Sequence, residues 1–357
     1  MTRLERLRAD LGRLGTDAAL VVSAEANRRY LSGFRGDAGI LWVTSQDAAL
    51  ITDARFWDQA EQECPDWRLV RLEGQTYGQA LAQLTAERGI RVLGFEAAAV
   101  TYQTYLGWRR ELRGVRLRPL GGVVERLRLV KEPEEVAAIR GAAQAVDQAF
   151  RRWLPLVRPG AVERELAAEL EHQLRLAGAE GTSFPPIVAG GAHGAQPHAV
   201  AADRALEAGE LVVVDVGARL DGYCSDMTRT VAVPGAPSTD EARRIFAVVH
   251  QALRAGLAVL RPGVRGRDVD AAARGVIEAA GYGACFGHGT GHGVGLEVHE
   301  GPGLSWRTPP GVRVPAGAVV TVEPGIYLPG RLGVRLEELV HVGAAGTEIL
   351  SRAGLGL

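Results

Sequence analysis

Apolar residues follow two rhythms along this chain. Leucines spaced among charges over Leu4–Leu14 predict an amphipathic helix. The short apolar runs Ala18–Ser23, Gly39–Val43 and Ala48–Thr52, each closed by turn residues, predict strands. Helical and strand-like segments alternate to about residue 122, the pattern of a small α/β domain. The rhythm breaks at Gly121-Gly122, and Lys131-Glu132-Pro133-Glu134-Glu135 then supplies a proline and acids suited to the first turn of a helix. A chain of 357 residues is too long for one ordinary core. The expected division is a first domain over 1–122 and a second over 123–357.

The second part repeats itself. VRPGAVERELAAELEHQLRLAGA, from Val157, resembles LRPGVRGRDVDAAARGVIEAAGY, from Leu260. AGELVVVDVG, from Ala208, resembles AGAVVTVEPG, from Ala316, which places Asp215 on Glu323. Each half reads as helix, RPG turn, helix and antiparallel hairpin, so the halves are expected to pack with approximate two-fold symmetry and to share a central site.

Each hairpin carries a pair of acids. In LVVVDVGARLDGYCSDMTRT, pairing about a turn at Arg219–Gly222 is expected to set Asp215 opposite Asp226. In VVTVEPGIYLPGRLGVRLEELVHV, a turn near Gly330 is expected to set Glu323 opposite Glu337. A single Asp or Glu is usually solvated surface. Four acids beside strongly apolar strands, at matching places in a repeat, are another matter. Like charges facing each other destabilise a sheet unless a cation neutralises them.

FGHGTGHGVGLEVHE adds His288, His292 and His299, three of the eight histidines, among glycines that let the backbone approach a site closely. One nitrogen ligand with four carboxylates makes a hard, oxygen-rich set able to bridge two divalent ions. Such a pair binds water as hydroxide at neutral pH, the chemistry of a metal-dependent hydrolase. Oxygen-rich ligation favours manganese, with cobalt or zinc as alternatives.

Composition narrows the class without changing it. With 46% hydrophobic and 23% charged residues the chain is globular, and a net charge of -1 gives no reason to expect nucleic acid or an anionic membrane as partner. MTRLERLRADLGRL holds no apolar run long enough for a signal peptide or a span, so a cytoplasmic protein is expected. Cys64, Cys224 and Cys285 lack CxxC spacing and read as small buried hydrophobes. No GxSxG, HExxH or GxxxxGK[ST] segment is present.

The residues resemble those of the pita-bread metallopeptidases, in particular Xaa-Pro dipeptidases (prolidases) and aminopeptidase P. VDVGARLDGYCSDMTRT resembles the family's paired-aspartate hairpin, GHGTGHGVGLEVHE its histidine segment, VTVEPGIY and GVRLEE its two glutamate segments, all in family order. PHAVAAD and Leu129–Arg140 resemble further family segments, and the preceding part resembles a creatinase-like amino-terminal domain. The resemblance implies an α/β (α+β) fold, a creatinase-like domain followed by a pita-bread catalytic domain.

It further implies that Asp226, His292 and Glu323 hold one ion and Asp215 the other, with Asp226 and Glu337 bridging. A bridging hydroxide would attack the scissile carbonyl, Glu323 would shuttle the proton to the leaving nitrogen, and His198 and His299 would hydrogen-bond substrate and intermediate. His288 would line the proline pocket, and Arg335 would brace Glu337 or bind a substrate carboxylate. Substrates would be proline-containing dipeptides or short peptides, and the family expectation is a homodimer. A prolidase takes a dipeptide, whereas aminopeptidase P takes longer peptides. GFRGDAG, with Arg35 and Asp37, is a candidate capping loop or else an ordinary charged turn. Methionine aminopeptidases lack the first domain, creatinase lacks the metal ligands, and relatives without catalysis act as peptide-binding modules.

Overall fold

The structure, a computed structural model, describes residues 1–12 and 15–355. The chain forms two compact units, Met1–Arg128 and Leu129–Leu357. The glycine break predicts a division at 122. Instead Gly122, at a φ of 63°, turns the chain into a short helix, Val123–Arg128, that buries Val124 within the first unit.

The first unit is built on a six-stranded mixed sheet in the order Arg68–Leu72, Ala48–Asp53, Ile40–Thr44, Ala18–Val22, Val92–Glu96, Arg116–Leu120. All five residues of Ala18–Val22 are buried, as expected of a central strand with a continuous apolar run. Ile40–Thr44 and Ala48–Asp53 occupy the runs that predicted them. The first helix spans Arg3–Leu11, with Thr2 and Glu5 capping each other's backbone; the end of the expected helix, Arg13 and Leu14, lies outside the described residues. In GFRGDAG, Arg35 pairs with Glu63 at 2.7 Å.

The second unit follows the repeat. Its first half contains the helix Pro133–Trp153, the turn Arg158–Gly160 and the helix Glu163–Leu176; its second contains Asp240–Val259, Arg261–Gly263 and Gly266–Ala279. Pro133 takes the first helical position, as expected, and Val136, Ile139, Ala143, Val146 and Phe150 supply the buried face at three- and four-residue spacing. Gly160 and Gly263 sit at matching φ values of 84° and 81°, which residues with a Cβ adopt at a cost.

Each half buries its own apolar cluster. Trp153, Leu170, Val188, Val212 and Val214 belong to one; Ile245, Val269, Val320, Val334 and Val340 belong to the other. Lys131, the chain's one lysine, is fully buried at the start of this unit and donates to Glu300 Oε1 at 2.7 Å.

The two hairpins sit where these clusters meet. Leu211–Val216 pairs with Met227–Ala232 and with Ile187–Gly190. Ala318–Val322 pairs with Glu338–Gly343, and Gly325–Leu328 with Leu332–Arg335. In the last strand Gly333 is pressed against the turn His193–Ala195: a Cβ there would lie 1.8 Å from the Gly194 carbonyl oxygen. Neither partner is a flexible side chain, so Gly333→Ala should force the backbones apart. We expect a loss of about 1–3 kcal/mol in urea unfolding of the metal-loaded protein.

Candidate metal centre

The first acidic hairpin turns at Asp221 and Gly222, with φ of 47° and 72°, a two-residue turn whose positive angles match the strand twist. This fixes a register different from the expected one. Asp215 lies opposite Thr228, not opposite Asp226. The miscount came from centring the turn one residue early, which shifts every partner by two. A two-residue shift preserves the face, so Asp215 and Asp226 remain diagonal neighbours on one side of the hairpin. The ladder is interrupted at Gly217 and at Ser225-Asp226, where a Cβ on Gly217 would lie 1.9 Å from Ser183 Oγ. That interruption frees Asp226 from the strand geometry.

In the second hairpin, Val322 pairs with Glu338 and Gly325 with Arg335, so the register on both sides sets Glu323 across from Glu337, as expected. Neither glutamate is itself in a strand. The strands stop on either side of them, and the acids project from the gap.

Asp215, Asp226 and Glu337 each bring a carboxylate oxygen within 4.8 Å of the others. His292 Nε2 lies 3.3 Å from Glu323 Oε1 and 3.6 Å from Asp226 Oδ2, which joins it to the cluster. The His292 ring donates from Nδ1 to the Gly293 carbonyl at 3.1 Å, a bond that fixes the tautomer and leaves Nε2 facing the carboxylates. Asp215 Oδ1 and Glu337 Oε1 are buried without a hydrogen-bond partner. Unsatisfied buried carboxylate oxygens are costly, and a cation among them removes that cost, so the donor set fits divalent ions.

Arg335 braces the cluster. It donates to Asp215 Oδ2 at 2.6 Å, to Thr228 Oγ1 at 3.0 Å, to the Tyr327 hydroxyl at 2.8 Å and to the Pro197 carbonyl at 3.1 Å. Thr228 in turn donates to Glu337 Oε2 at 2.9 Å. Of the two roles open to Arg335, this geometry fits support of the acids: the side chain is buried and its donors are engaged within the protein. Arg229, fully buried, holds the Glu337 and Thr228 carbonyls from behind.

Tyr327 and Thr228 went unnoticed in the sequence. Tyr327 accepts from Arg335 and contacts His288 Nε2 at 2.9 Å, while His288 Nδ1 donates to the Gly289 carbonyl. The tyrosine hydroxyl therefore donates to a neutral imidazole, and burial holds the His288 pKa below its usual value, in keeping with that state. Residue type gave no signal for either Tyr327 or Thr228. Each matters through a contact with a residue on another strand.

All five candidate ligands, together with His198, His288, His299 and Arg335, line one cavity of about 720 Å³. His198 and His299 are exposed at its wall, and the His299 ring lies 4.2 Å from that of His292. Phe184, Pro185, Ile187 and Trp306 add apolar surface.

Electrostatics within the cluster are strained without a cation. Burial, then the charges of Glu337, Asp215 and Glu323, pushes Asp226 well above the usual carboxylate range. Burial, then Glu323 and Asp215, does the same to Glu337. Burial opposes charge on Glu323 as well, but the His292 hydrogen bond and charge outweigh it and hold Glu323 down to about 2. His292 is correspondingly raised to about 9 against the effect of burial.

Folded-state values raised above the unfolded ones stabilise the metal-free chain at low pH, and that contribution is lost as pH rises through them. Asp226, Glu337 and His292 all act in this sense; Glu323 acts oppositely, but its contribution is already complete above about pH 5. The metal-free chain should therefore lose stability between about pH 5 and 8. Added manganese should raise the melting temperature more at the upper end, since ligands must be deprotonated to bind it. Melting scans at both pH values, with and without chelator, check this.

Comparison with known proteins agrees with this geometry. The family model for metallopeptidase family M24 matches residues 137–344, and that for the creatinase/prolidase N-terminal domain matches residues 3–130. An uncharacterised peptidase of Bacillus subtilis is 42% identical over 355 residues, covering 98% of each chain. The solved structure of an Xaa-Pro dipeptidase from Bacillus anthracis is 38% identical, covers 99% of each chain and superposes with a TM-score of 0.94. An X-Pro aminopeptidase from Thermotoga maritima is 35% identical, with a TM-score of 0.88 over 98% of this chain and 100% of its own. The chain is thus a member of metallopeptidase family M24, built as a creatinase/prolidase-type amino-terminal domain followed by the pita-bread catalytic fold.

Proposed function

We propose that this protein is a metal-dependent Xaa-Pro dipeptidase. The observation that carries the reading is the buried acid cluster at the base of the cavity, with carboxylate oxygens of Asp215 and Glu337 left without partners. The dipeptidase named among its relatives supplies the substrate class.

In this reading Asp215, Asp226, His292, Glu323 and Glu337 would together hold two divalent ions. Manganese is the ion best suited to four carboxylates and one imidazole, with cobalt or zinc as alternatives. The bound ions would supply Lewis acidity, polarising the scissile carbonyl and making water a nucleophile at neutral pH.

The remaining chemistry falls to the chain's own side chains. The Glu323 carboxylate takes a proton from the attacking water and delivers it to the leaving proline nitrogen. His198 and His299, facing the cavity from opposite segments, donate hydrogen bonds to the oxygen that gains charge as the carbonyl becomes tetrahedral. His288, oriented by its hydrogen bond with Tyr327, contributes a wall for the proline ring. An Xaa-Pro bond is a tertiary amide without an N–H, so recognition by shape and by the carbonyl suits it.

Hydrolysis of Ala-Pro and of Ala-Pro-Ala by chelator-treated protein, with and without manganese, tests the assignment. Metal-dependent cleavage of Ala-Pro alone is expected. Cleavage mainly of the tripeptide would favour an aminopeptidase P, the reading suggested by the Thermotoga relative. No cleavage with any metal would leave a peptide-binding module. We extend the proposal to a cytoplasmic homodimer, on the family resemblance; among the described residues no helix is long and apolar enough to cross a membrane. Sedimentation velocity checks the dimer.

A further inference from the structure

His198 lies on an irregular segment between the strand Ile187–Gly190 and Arg204, yet its function requires a fixed position at the cavity wall. The backbone of this segment is tied to the body at several points: Gly191 N donates to the Leu211 carbonyl at 2.8 Å, Arg335 Nη1 to that of Pro197 at 3.1 Å, Glu163 N to that of Arg204 at 3.0 Å and Arg164 N to that of Ala202 at 3.1 Å. The Glu163 side chain bonds directly to both the near end and the far one. The Glu163 carboxylate, fully buried at the start of the helix Glu163–Leu176, accepts from Gly190 N at 2.8 Å, from His193 Nδ1 at 2.7 Å and from Ala202 N at 3.2 Å, with Arg204 Nη1 at 3.6 Å. It bonds to residues on both sides of His198.

We infer that Glu163 is a positioning residue for the reaction: its carboxylate clasps both ends of the 190–202 segment and thereby sets His198 against the substrate carbonyl. The second half of the fold offers a counterpart. From the helix Gly266–Ala279, buried Asp270 accepts from Thr290 N at 3.1 Å and Thr290 Oγ1 at 2.9 Å, and its partner Arg274 holds the Phe286 and His288 carbonyls at 2.8 and 2.7 Å. In each half, then, a buried carboxylate on the second helix secures a glycine-containing segment that carries at least one cavity histidine. Glu163 and Asp270 do not occupy equivalent places in the sequence repeat, since Glu163 aligns with Gly266. The two halves reach the same arrangement from different positions.

The inference rests on the catalytic role proposed for His198, and the test separates the two. Glutamine at 163 retains the shape but turns one acceptor into a donor, so at least one N–H loses its partner. On the manganese-loaded protein, Glu163→Gln should lower kcat on Ala-Pro by about 10-fold, with KM and metal content unchanged, since small misplacements of a catalytic group are costly. In a His198→Ala background the same substitution should cost less than about 2-fold, because the group it positions is gone. Amide exchange should quicken over residues 190–202 and not over 286–292.

Equal losses in both backgrounds, or unchanged exchange, would overturn the clasp. Full activity in His198→Ala alone would remove the role of that histidine, leaving the exchange measurement to decide the clasp. If Glu163→Gln does not fold, His193→Ala, which removes one donor and leaves the carboxylate in place, is expected to show the same dependence on His198 with a smaller loss.

Discussion

Asp226→Asn is expected to leave the protein folded at neutral pH but without a full complement of metal, and to lower kcat/KM on Ala-Pro by about three orders of magnitude or more. Asp226 lies between the two parts of the cluster, 3.6 Å from His292 Nε2 and grouped with Asp215 and Glu337. An amide offers one neutral oxygen where a carboxylate offers two charged ones, so it cannot serve two cations. Losing roughly 4 kcal/mol of transition-state stabilisation corresponds to about a thousand-fold in rate. The same change removes a buried charge that burial and three neighbouring carboxylates oppose, so the metal-free variant should melt higher than the metal-free parent at pH 8. Metal analysis of the dialysed protein, steady-state kinetics and melting scans check the three parts. Full metal and full rate in the variant would remove Asp226 from the centre.

His198→Ala should separate catalysis from metal binding. His198 is exposed at the cavity wall, and its ring makes none of the close contacts that gather the acids and His292. Two metals per chain should remain, with a melting temperature close to the parent's. Removing one donor to a developing oxyanion costs about 100- to 1,000-fold in kcat, and we expect a loss in that range, carried mainly by kcat. A rise in KM alone would make His198 a binding residue without a special role in the transition state.

Much of this was readable from residue spacing. The repeat could be recognised because VVVDVG and VVTVEPG keep an acid at the same place beside an apolar strand, and the strands formed at both. Pro133 announced its helix because a missing N–H is harmless only in the first turn. The count from Gly330 gave the right partner for Glu337, whereas the count about Asp221-Gly222 was off by one at the turn and so missed Thr228 as the partner of Asp215. Strand faces survive that error, which is why the acids were still found on one side.

What stayed hidden depends on contacts between distant segments. Thr228, Tyr327 and Arg335 form a chain of hydrogen bonds between strands, and nothing in the type of a threonine or a tyrosine declares it. Glu163 is harder still, because it sits at the start of a helix, where an acid is explained locally by the helix dipole. Only the fold brings Gly190, His193 and Ala202 to its carboxylate.

The burial of Lys131 against Glu300 has a practical side. With no lysine ammonium at the surface, amine-directed reagents meet only the terminal α-amine of the folded protein. A dye or a surface linker would therefore attach at one point and in one orientation, far from ambiguity about which copy carries how many labels. A lysine-specific endoprotease would find its one cleavage position out of reach until the catalytic unit opens. The appearance of just two fragments would then report that opening directly, with no label and no substrate.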